Sequence, residues 1–285
     1  MANILVTGSS KGFGFLIVKT LLKDGHRVVA GMRGVDGKNK GAAADLKAAG
    51  AVPVEMDVTE ESSVARAVGA AGALDVVVNN AGVGVLGLQE TFTPEDWKKV
   101  FDINVLGVQR VDRAVLPQMR ERRAGLLIHI SSLLGRLVIP FYGPYNASKH
   151  ALEALADNYR IELSSFGIES VLVEPGGYGT TFMDGLMKPS DASRSGSYGP
   201  MADAPEQSFA AYATRMKGPH APNPQWVADA VLGLVKAPRG KRPFRTTVDR
   251  LGMGAAVDPY NQAAEELQKK VYAAFGMSEV LTLRT

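Results

Sequence analysis

The chain has 285 residues, 46% of them hydrophobic, with 10 methionines, no cysteine and a formal net charge of +3. These values exclude disulfide and thiol chemistry, give no electrostatic case for a nucleic-acid partner, and permit one large buried core. No run of 18 apolar residues occurs and the first predicted strand starts almost at Met1, so neither a membrane span nor a signal peptide is expected, and the chain reads as cytoplasmic.

The first predicted strand, 3–7, is followed by a helix over 12–23 with Phe13, Leu16, Ile17 and Leu21 on one face. Between them lies TGSSKGFG, with Gly8, Gly12 and Gly14. Glycines there permit a tight strand-to-helix turn whose free amides, at a helix start, aim at a pyrophosphate. Strands are predicted over 26–31, 52–56, 74–79, 125–131, 168–174 and 243–247. Helices are predicted over 38–49, 60–70, 94–122, 144–166 and 224–236, with another helical segment near 259–275. Thr93, Pro94, Glu95 and Asp96 form a helix start, with a capping hydroxyl, an early proline and acids at the positive dipole end. Alternating strands and helices predict one α/β domain over 1–285, a doubly wound, mostly parallel seven-stranded sheet with helices on both faces and a C-terminal helical extension from about 248.

Chemistry concentrates in Ser132, Tyr145 and Lys149. Tyr145 and Lys149 stand four apart on a predicted helix, which puts phenol and ammonium on one face. A free tyrosine, with a pKa of about 10, is a poor base at neutral pH, and nearby positive charge is expected to lower that value. Ser132 ends the apolar run GLLIHISS, where a hydroxyl fixed at a strand's carboxyl end would meet a substrate carbonyl. The plainer roles are a chance surface pair for Tyr145 and Lys149 and a cap for Ser132. The four histidines have no ligand-like spacing, and no metal site is expected.

Together these motifs resemble the short-chain dehydrogenase/reductases over about 3–182 and, more loosely, 224–247. The glycine turn resembles TGSSKGFG, the motif after the fourth strand resembles Asn79, Asn80, Ala81 and Gly82, and the active-site asparagine resembles Asn104 in FDINVLG. Ser132, Tyr145 and Lys149 match the family's catalytic set, and Pro175, Gly176 and Thr180 its Pro-Gly turn with a following threonine. The resemblance implies a Rossmann-type fold and hydride transfer between a nicotinamide and a ketone, aldehyde or secondary alcohol. Tyr145 would be the proton donor, Ser132 would position the carbonyl, Lys149 would bind the nicotinamide ribose, and Asn104 would hold a water linking Lys149 to solvent. It also implies a cofactor site of Gly8, Ser10, Lys11, Gly12, Phe13, Gly14, Arg33, Asp57, Val58, Asn80, Ala81, Gly82, Tyr145, Lys149, Pro175, Gly176 and Thr180, with Asp57 orienting the adenine.

NADP(H) is the expected cofactor. Met32 stands where NAD-binding folds place an acid, Arg33 follows it, and Lys11 is a second cation for a 2′-phosphate. Arg33 solvating a loop is the alternative. The stretch 183–224 matches the family's mobile lid, and its methionines and aromatics suggest a lipophilic or aromatic carbonyl substrate; the alternative is a helical pair packing its own core. The basic clusters Arg120, Arg122, Arg123 and Arg239, Lys241, Arg242, Arg245 read as solvated surface. Pairing into a homodimer or homotetramer is expected through the helices 94–122 and 144–166. Two other classes compete, a non-catalytic NADP sensor and a non-redox enzyme on the same scaffold, but the intact catalytic set disfavours both.

Overall fold

In the computed structural model, which describes residues 1–284, seven strands form one sheet: β1 (Asn3–Thr7), β2 (Arg27–Met32), β3 (Val52–Glu55), β4 (Val76–Asn79), β5 (Gly125–Ile130), β6 (Ile168–Pro175) and β7 (Arg245–Val248). Their order is β3-β2-β1-β4-β5-β6-β7, and every neighbouring pair is parallel. Successive side chains of a strand face opposite ways, and both ways are apolar here. Ile4, Val6, Val28, Val78 and Ile128 enter the core under the helices α1 (Gly12–Lys23) and α8 (Gln225–Lys236). Leu5, Val29, Val77 and Leu127 enter the core under α3 (Glu61–Ala71) and α5 (Gly107–Arg122). Strands buried on both faces therefore carry uninterrupted apolar runs instead of alternation. The chain reverses its winding between β1 and β4, which opens a crevice at their carboxyl ends, the usual ligand position in such sheets.

The predicted strands and most helices appear within one or two residues. One predicted helix is broken. Residues 94–122 form α4 (Pro94–Phe101), a π-helical segment Asp102–Leu106, and α5. Arg110 supports the wider turn by donating to the Asp102 carbonyl at 3.3 Å and its carboxylate at 2.6 Å, while the Asn104 side chain turns inward. The helix carrying Tyr145 and Lys149, α6 (Gly143–Leu163), closes in a 3-10 turn at Ser164–Phe166. α2 (Lys40–Ala48) completes the first half of the fold.

The C-terminal helix α9 (Met253–Ala274) begins well before the expected Pro259. Asp249 starts it, accepting from Leu251 N at 3.2 Å and Gly254 N at 2.9 Å. The stretch 183–224, expected to be a lid, contains a 3-10 run, Ala192–Asp203, and α7 (Ala204–Arg215). Its base is fastened where Met187 exchanges hydrogen bonds with Gly84 and Leu86, and Ser190 with Asp96.

Part of the expected basic surface is structural. Arg245 is 10% exposed and pairs with Glu153, and Arg242 pairs with Glu169. Arg239 donates to the Arg123 and Gly167 carbonyls. Arg242 and Arg245 are largely withdrawn from solvent, and Arg239, though exposed, ties two loops together. No helix among the described residues is long and apolar enough to cross a membrane.

Candidate active site

The crevice at the β1–β4 switch is a cleft of about 690 Å³. The turn after β1 forms its floor. Gly8 and Gly12 hold φ of +66° and +57°, backbone that other residues adopt only with strain. A Cβ on Gly14 would lie 2.4 Å from the Gly8 oxygen and 2.5 Å from Asn80 Nδ2. Asn80 donates to the Thr7 and Gly8 carbonyls at 2.9 and 3.1 Å, so β4 clamps the turn. No side chain caps α1, which leaves its leading amides at the cleft for an anion. These residues fit a dinucleotide pyrophosphate by shape and by donor set.

Every residue anticipated for catalysis or cofactor binding lines this cleft except Gly14 and Asn104, which stand just behind its wall. Ser132 Oγ accepts from Leu134 N at 3.1 Å, so the hydroxyl is also the cap of a short 3-10 turn at Leu133–Gly135. Lys149 is buried, donates to the Ile130 carbonyl at 2.8 Å, and has its Nζ 5.7 Å from the centre of the Tyr145 ring. Asn104 accepts from Val83 N at 2.8 Å and donates to Val83 O at 2.9 Å and to Ser148 Oγ at 3.0 Å. Ser148 in turn donates to the Tyr145 carbonyl at 2.8 Å. Asn104 therefore ties the turn bearing Tyr145 to the π segment, and its amide is committed there.

One electrostatic expectation is corrected. Burial pushes the Tyr145 phenol up to about 12, against a smaller opposing effect of Ser132, and burial pushes the Lys149 ammonium down to about 8, against Glu153. Burial thus prevails over the hydrogen bond with Ser132, and the resident form of Tyr145 at neutral pH is the phenol, a proton donor.

At the other end of the cleft, Arg33 is half exposed and lies 3.5 Å from Asp57. Burial would raise the Asp57 carboxyl, but hydrogen bonds from Thr59 and the Arg33 charge hold it below its ordinary value. Asn39 donates to the Arg33 carbonyl at 2.6 Å, and Glu55 accepts from Gly34 N and Val35 N, so the loop carrying Arg33 is ordered. Lys11 turns away to the Thr181 carbonyl at 3.1 Å. Lys38, which also lines the cleft, is a cation not anticipated from the sequence, although the loop RGVDGKNK offered it.

Phe182, Met183, Tyr212 and Met216, from the stretch after Thr180, also line the cleft, whereas Met201 is exposed. Tyr142, Leu251 and Met253 line it as well and were not anticipated; for the last two no local signal exists, because a distant segment brings them in. Among the described residues no cluster suits a metal ion.

The family model of the short chain dehydrogenases matches residues 2–190. The chain belongs to the short-chain dehydrogenase family. Among its relatives is a 3-ketodihydrosphingosine reductase of Bacteroides thetaiotaomicron, 36% identical over 181 residues, which are 64% of this chain and 65% of the relative. The chain thus spans less than two thirds of that relative's length. Human 17-beta-hydroxysteroid dehydrogenase type 1 is 31% identical over 262 residues, covering 86% of this chain and 77% of the relative. A short-chain dehydrogenase from Streptomyces avermitilis superposes with a TM-score of 0.77 at 28% identity, covering 97% of this chain and 98% of its own. Likeness to this dehydrogenase extends through the lid and the C-terminal segment, beyond the part matched by the family model.

Proposed function

We propose that this short-chain dehydrogenase is an NADP(H)-dependent oxidoreductase that interconverts a ketone or aldehyde and a secondary or primary alcohol on a lipophilic substrate. The observation that carries this reading is that Ser132, Tyr145 and Lys149 share one cleft with the uncapped start of α1. Bound nicotinamide would supply or accept the hydride, chemistry that no side chain provides.

In reduction, Tyr145 gives its phenolic proton to the carbonyl oxygen as that oxygen gains negative charge, and a buried phenol is the right form for it. Ser132, fixed by its cap bond, holds the carbonyl oxygen beside Tyr145. The Lys149 ammonium stabilises the phenolate left behind and binds the ribose hydroxyls, while Asn104 and Ser148 keep the Tyr145 turn in place. Gly8, Ser10, Lys11, Gly12, Phe13, Gly14 and Thr180 would hold the pyrophosphate. Asn80, Ala81, Gly82, Pro175 and Gly176 would border the nicotinamide half, and Asp57 and Val58 the adenine.

NADP(H) is favoured over NAD(H) because Met32 puts no carboxylate at the end of β2 and because two cations, Arg33 and Lys38, line the cleft. The single domain closes through the lid, and two copies pair through α4–α5 and α6. A monomeric mass in light scattering at micromolar concentration counts against that pairing.

The test is oxidation of NADPH and NADH with a panel of steroid, aromatic and aliphatic ketones. Turnover is expected with NADPH, with Tyr145→Phe losing several orders of magnitude in kcat while retaining NADPH binding. Undiminished turnover in Tyr145→Phe removes the mechanism, and equal kcat/KM for NADH removes the cofactor assignment.

A further inference from the structure

Behind the catalytic lysine lies a buried group of charges that the mechanism above leaves unused. Glu153 stands one helical turn after Lys149 on α6, and it is as buried as the lysine, at 2% against 6% exposure. Gly135 packs against the Glu153 side chain and the Lys149 backbone. A Cβ there would lie 2.9 Å from Glu153 Cγ, 2.9 Å from Ser131 Oγ and 3.1 Å from the Lys149 carbonyl oxygen. Glu153 Oε2 accepts from Arg245 Nε on β7 at 3.0 Å, whereas Glu153 Oε1 is buried without a hydrogen-bond partner among the described residues.

A carboxylate half satisfied in this way is costly unless its charge serves another group. Arg245 is shared. Its Nε lies 3.4 Å from Glu174 Oε1 of β6, and its Nη2 3.7 Å from Asp157 Oδ2 of α6. Glu174 is fixed in turn by Asn261 of α9, which donates to it at 2.7 Å, and by Thr247 at 3.2 Å. Arg136 donates to Asn261 at 2.7 Å and stacks on the Tyr260 ring. The C-terminal helix thus reaches the catalytic helix through an unbroken polar chain.

We propose that Glu153 is a positioning residue which supplies the negative charge that keeps the Lys149 ammonium in place, and that β7 and α9 hold Glu153 for this task through Arg245, Glu174 and Asn261. The inference rests on the tyrosine and lysine mechanism above. The other groups facing Lys149 cannot supply that charge. Tyr145 and Tyr142 are raised phenols, and His129 of β5 is held neutral by burial and by Lys149 itself, down to about 3. Asp112 of α5, behind His129, is pushed up to about 8 by burial. Burial lowers Lys149 and Glu153 opposes that fall, so the geometric and electrostatic directions agree. Burial and the neighbouring Glu153 raise Glu174 to about 7, so above neutral pH it adds a second negative charge behind the first.

The experiment compares wild type with Glu153→Gln, Glu153→Asp and Tyr145→Phe. It records kcat/KM for ketone reduction against pH and, in the protein without cofactor, the pH titration of the Lys149 ¹³Cε resonance, assigned by its loss in Lys149→Arg. A unit charge one helical turn away, at an effective dielectric of about 20, shifts a pKa by roughly one to two units. Glu153→Gln is therefore expected to move the Lys149 titration and the alkaline limb of kcat/KM down by about one pH unit or more. Glu153→Asp, which keeps the charge, is expected to restore both. Unmoved values in a folded Glu153→Gln, with Tyr145→Phe inactive, overturn this inference and leave the tyrosine mechanism standing. Full activity in Tyr145→Phe overturns that mechanism instead. Where Glu153→Gln fails to accumulate, Glu174→Gln takes its place: a smaller shift in the same direction supports the proposal, and none overturns it.

Discussion

Asp96 is a single buried carboxylate on which the base of the lid depends, and Asp96→Asn measures that dependence. Its Oδ2 accepts from Thr93 N at 3.0 Å, closing the capping box that starts α4, and from Ser190 N at 3.0 Å. Its Oδ1 accepts from Ser190 Oγ at 2.6 Å. Burial alone would raise this carboxyl, but the bonds from Ser190 and Thr93 prevail and lower it from 3.8 to about 2. The side chain is 2% exposed, so solvent screens little of this effect. A depression of nearly two units corresponds to about 2 kcal/mol of stability. A folded pKa below the unfolded one means that this stability is fully present above pH 3.8 and is lost as pH falls through about 2.

An asparagine there presents an N–H to donors that need an acceptor, so it recovers little. Urea unfolding at pH 7 is expected to show Asp96→Asn less stable by about 2 kcal/mol, with the gap closing toward pH 2. Limited proteolysis should cut first between Ser190 and Met216. A loss below about 0.5 kcal/mol at pH 7, or a gap that does not depend on pH, refutes the assignment.

Gly14→Ala drives a methyl into the Gly8 carbonyl and Asn80, at 2.4 and 2.5 Å, which backbone shifts relieve only in part. It should cost about 1–3 kcal/mol in urea unfolding and weaken NADPH at least about tenfold by calorimetry. Asp112, buried against Asn79 and His129, has its pKa raised by burial to about 8, with the Asn79 bond opposing. Between 3.8 and about 8 the native state keeps a proton that the unfolded chain releases, so wild-type Tm should fall as pH rises through that window and Asp112→Asn should flatten the slope. Arg33→Ala should lower the kcat/KM preference for NADPH over NADH by about five- to tenfold, less than a buried contact would give, because the guanidinium is 51% exposed and shared with Asp57.

What was legible in the sequence is what the backbone dictates locally. TGSSKGFG announces its turn because only glycines take positive φ at Gly8 and Gly12, and because Gly14 leaves no room for a Cβ. Tyr145 and Lys149 announce a shared face because four residues span one helical turn. The parallel sheet is visible in its apolar runs for the same reason. The π segment at Asp102–Leu106 was not legible, since the wide turn depends on Arg110 and on the place Asn104 finds against Val83, contacts set by the assembled fold. α7 is legible only as one arm of the alternative helical pair, from the spacing of Phe209 and Tyr212, because glycine and proline on both sides read equally well as a mobile loop.

The same division separates cofactor from substrate. The part of the cleft proposed to hold the nicotinamide is bordered by residues a few positions past strand ends, such as Asn80, Gly82, Ser132 and Gly176, together with Tyr145 and Lys149 of α6. The part proposed to meet substrate is bordered by Tyr142, Tyr212, Leu251 and Met253, brought together from three separate stretches of chain. Gly177 and Gly179 back this wall, their Cβ positions lying 3.0 Å from the Tyr212 ring and 2.9 Å from the Met216 carbonyl oxygen, and Tyr212 donates to the Tyr178 carbonyl at 3.2 Å. Leu251 and Met253 belong to neither β5 nor α6, so changed side chains there leave Ser132, Tyr145 and Lys149, which rest on those elements, undisturbed. Substitutions at Leu251 and Met253 should therefore change KM among ketones of different size while leaving NADPH affinity in place, and an equal loss for every ketone would mean that these two residues support the fold and not the choice of substrate.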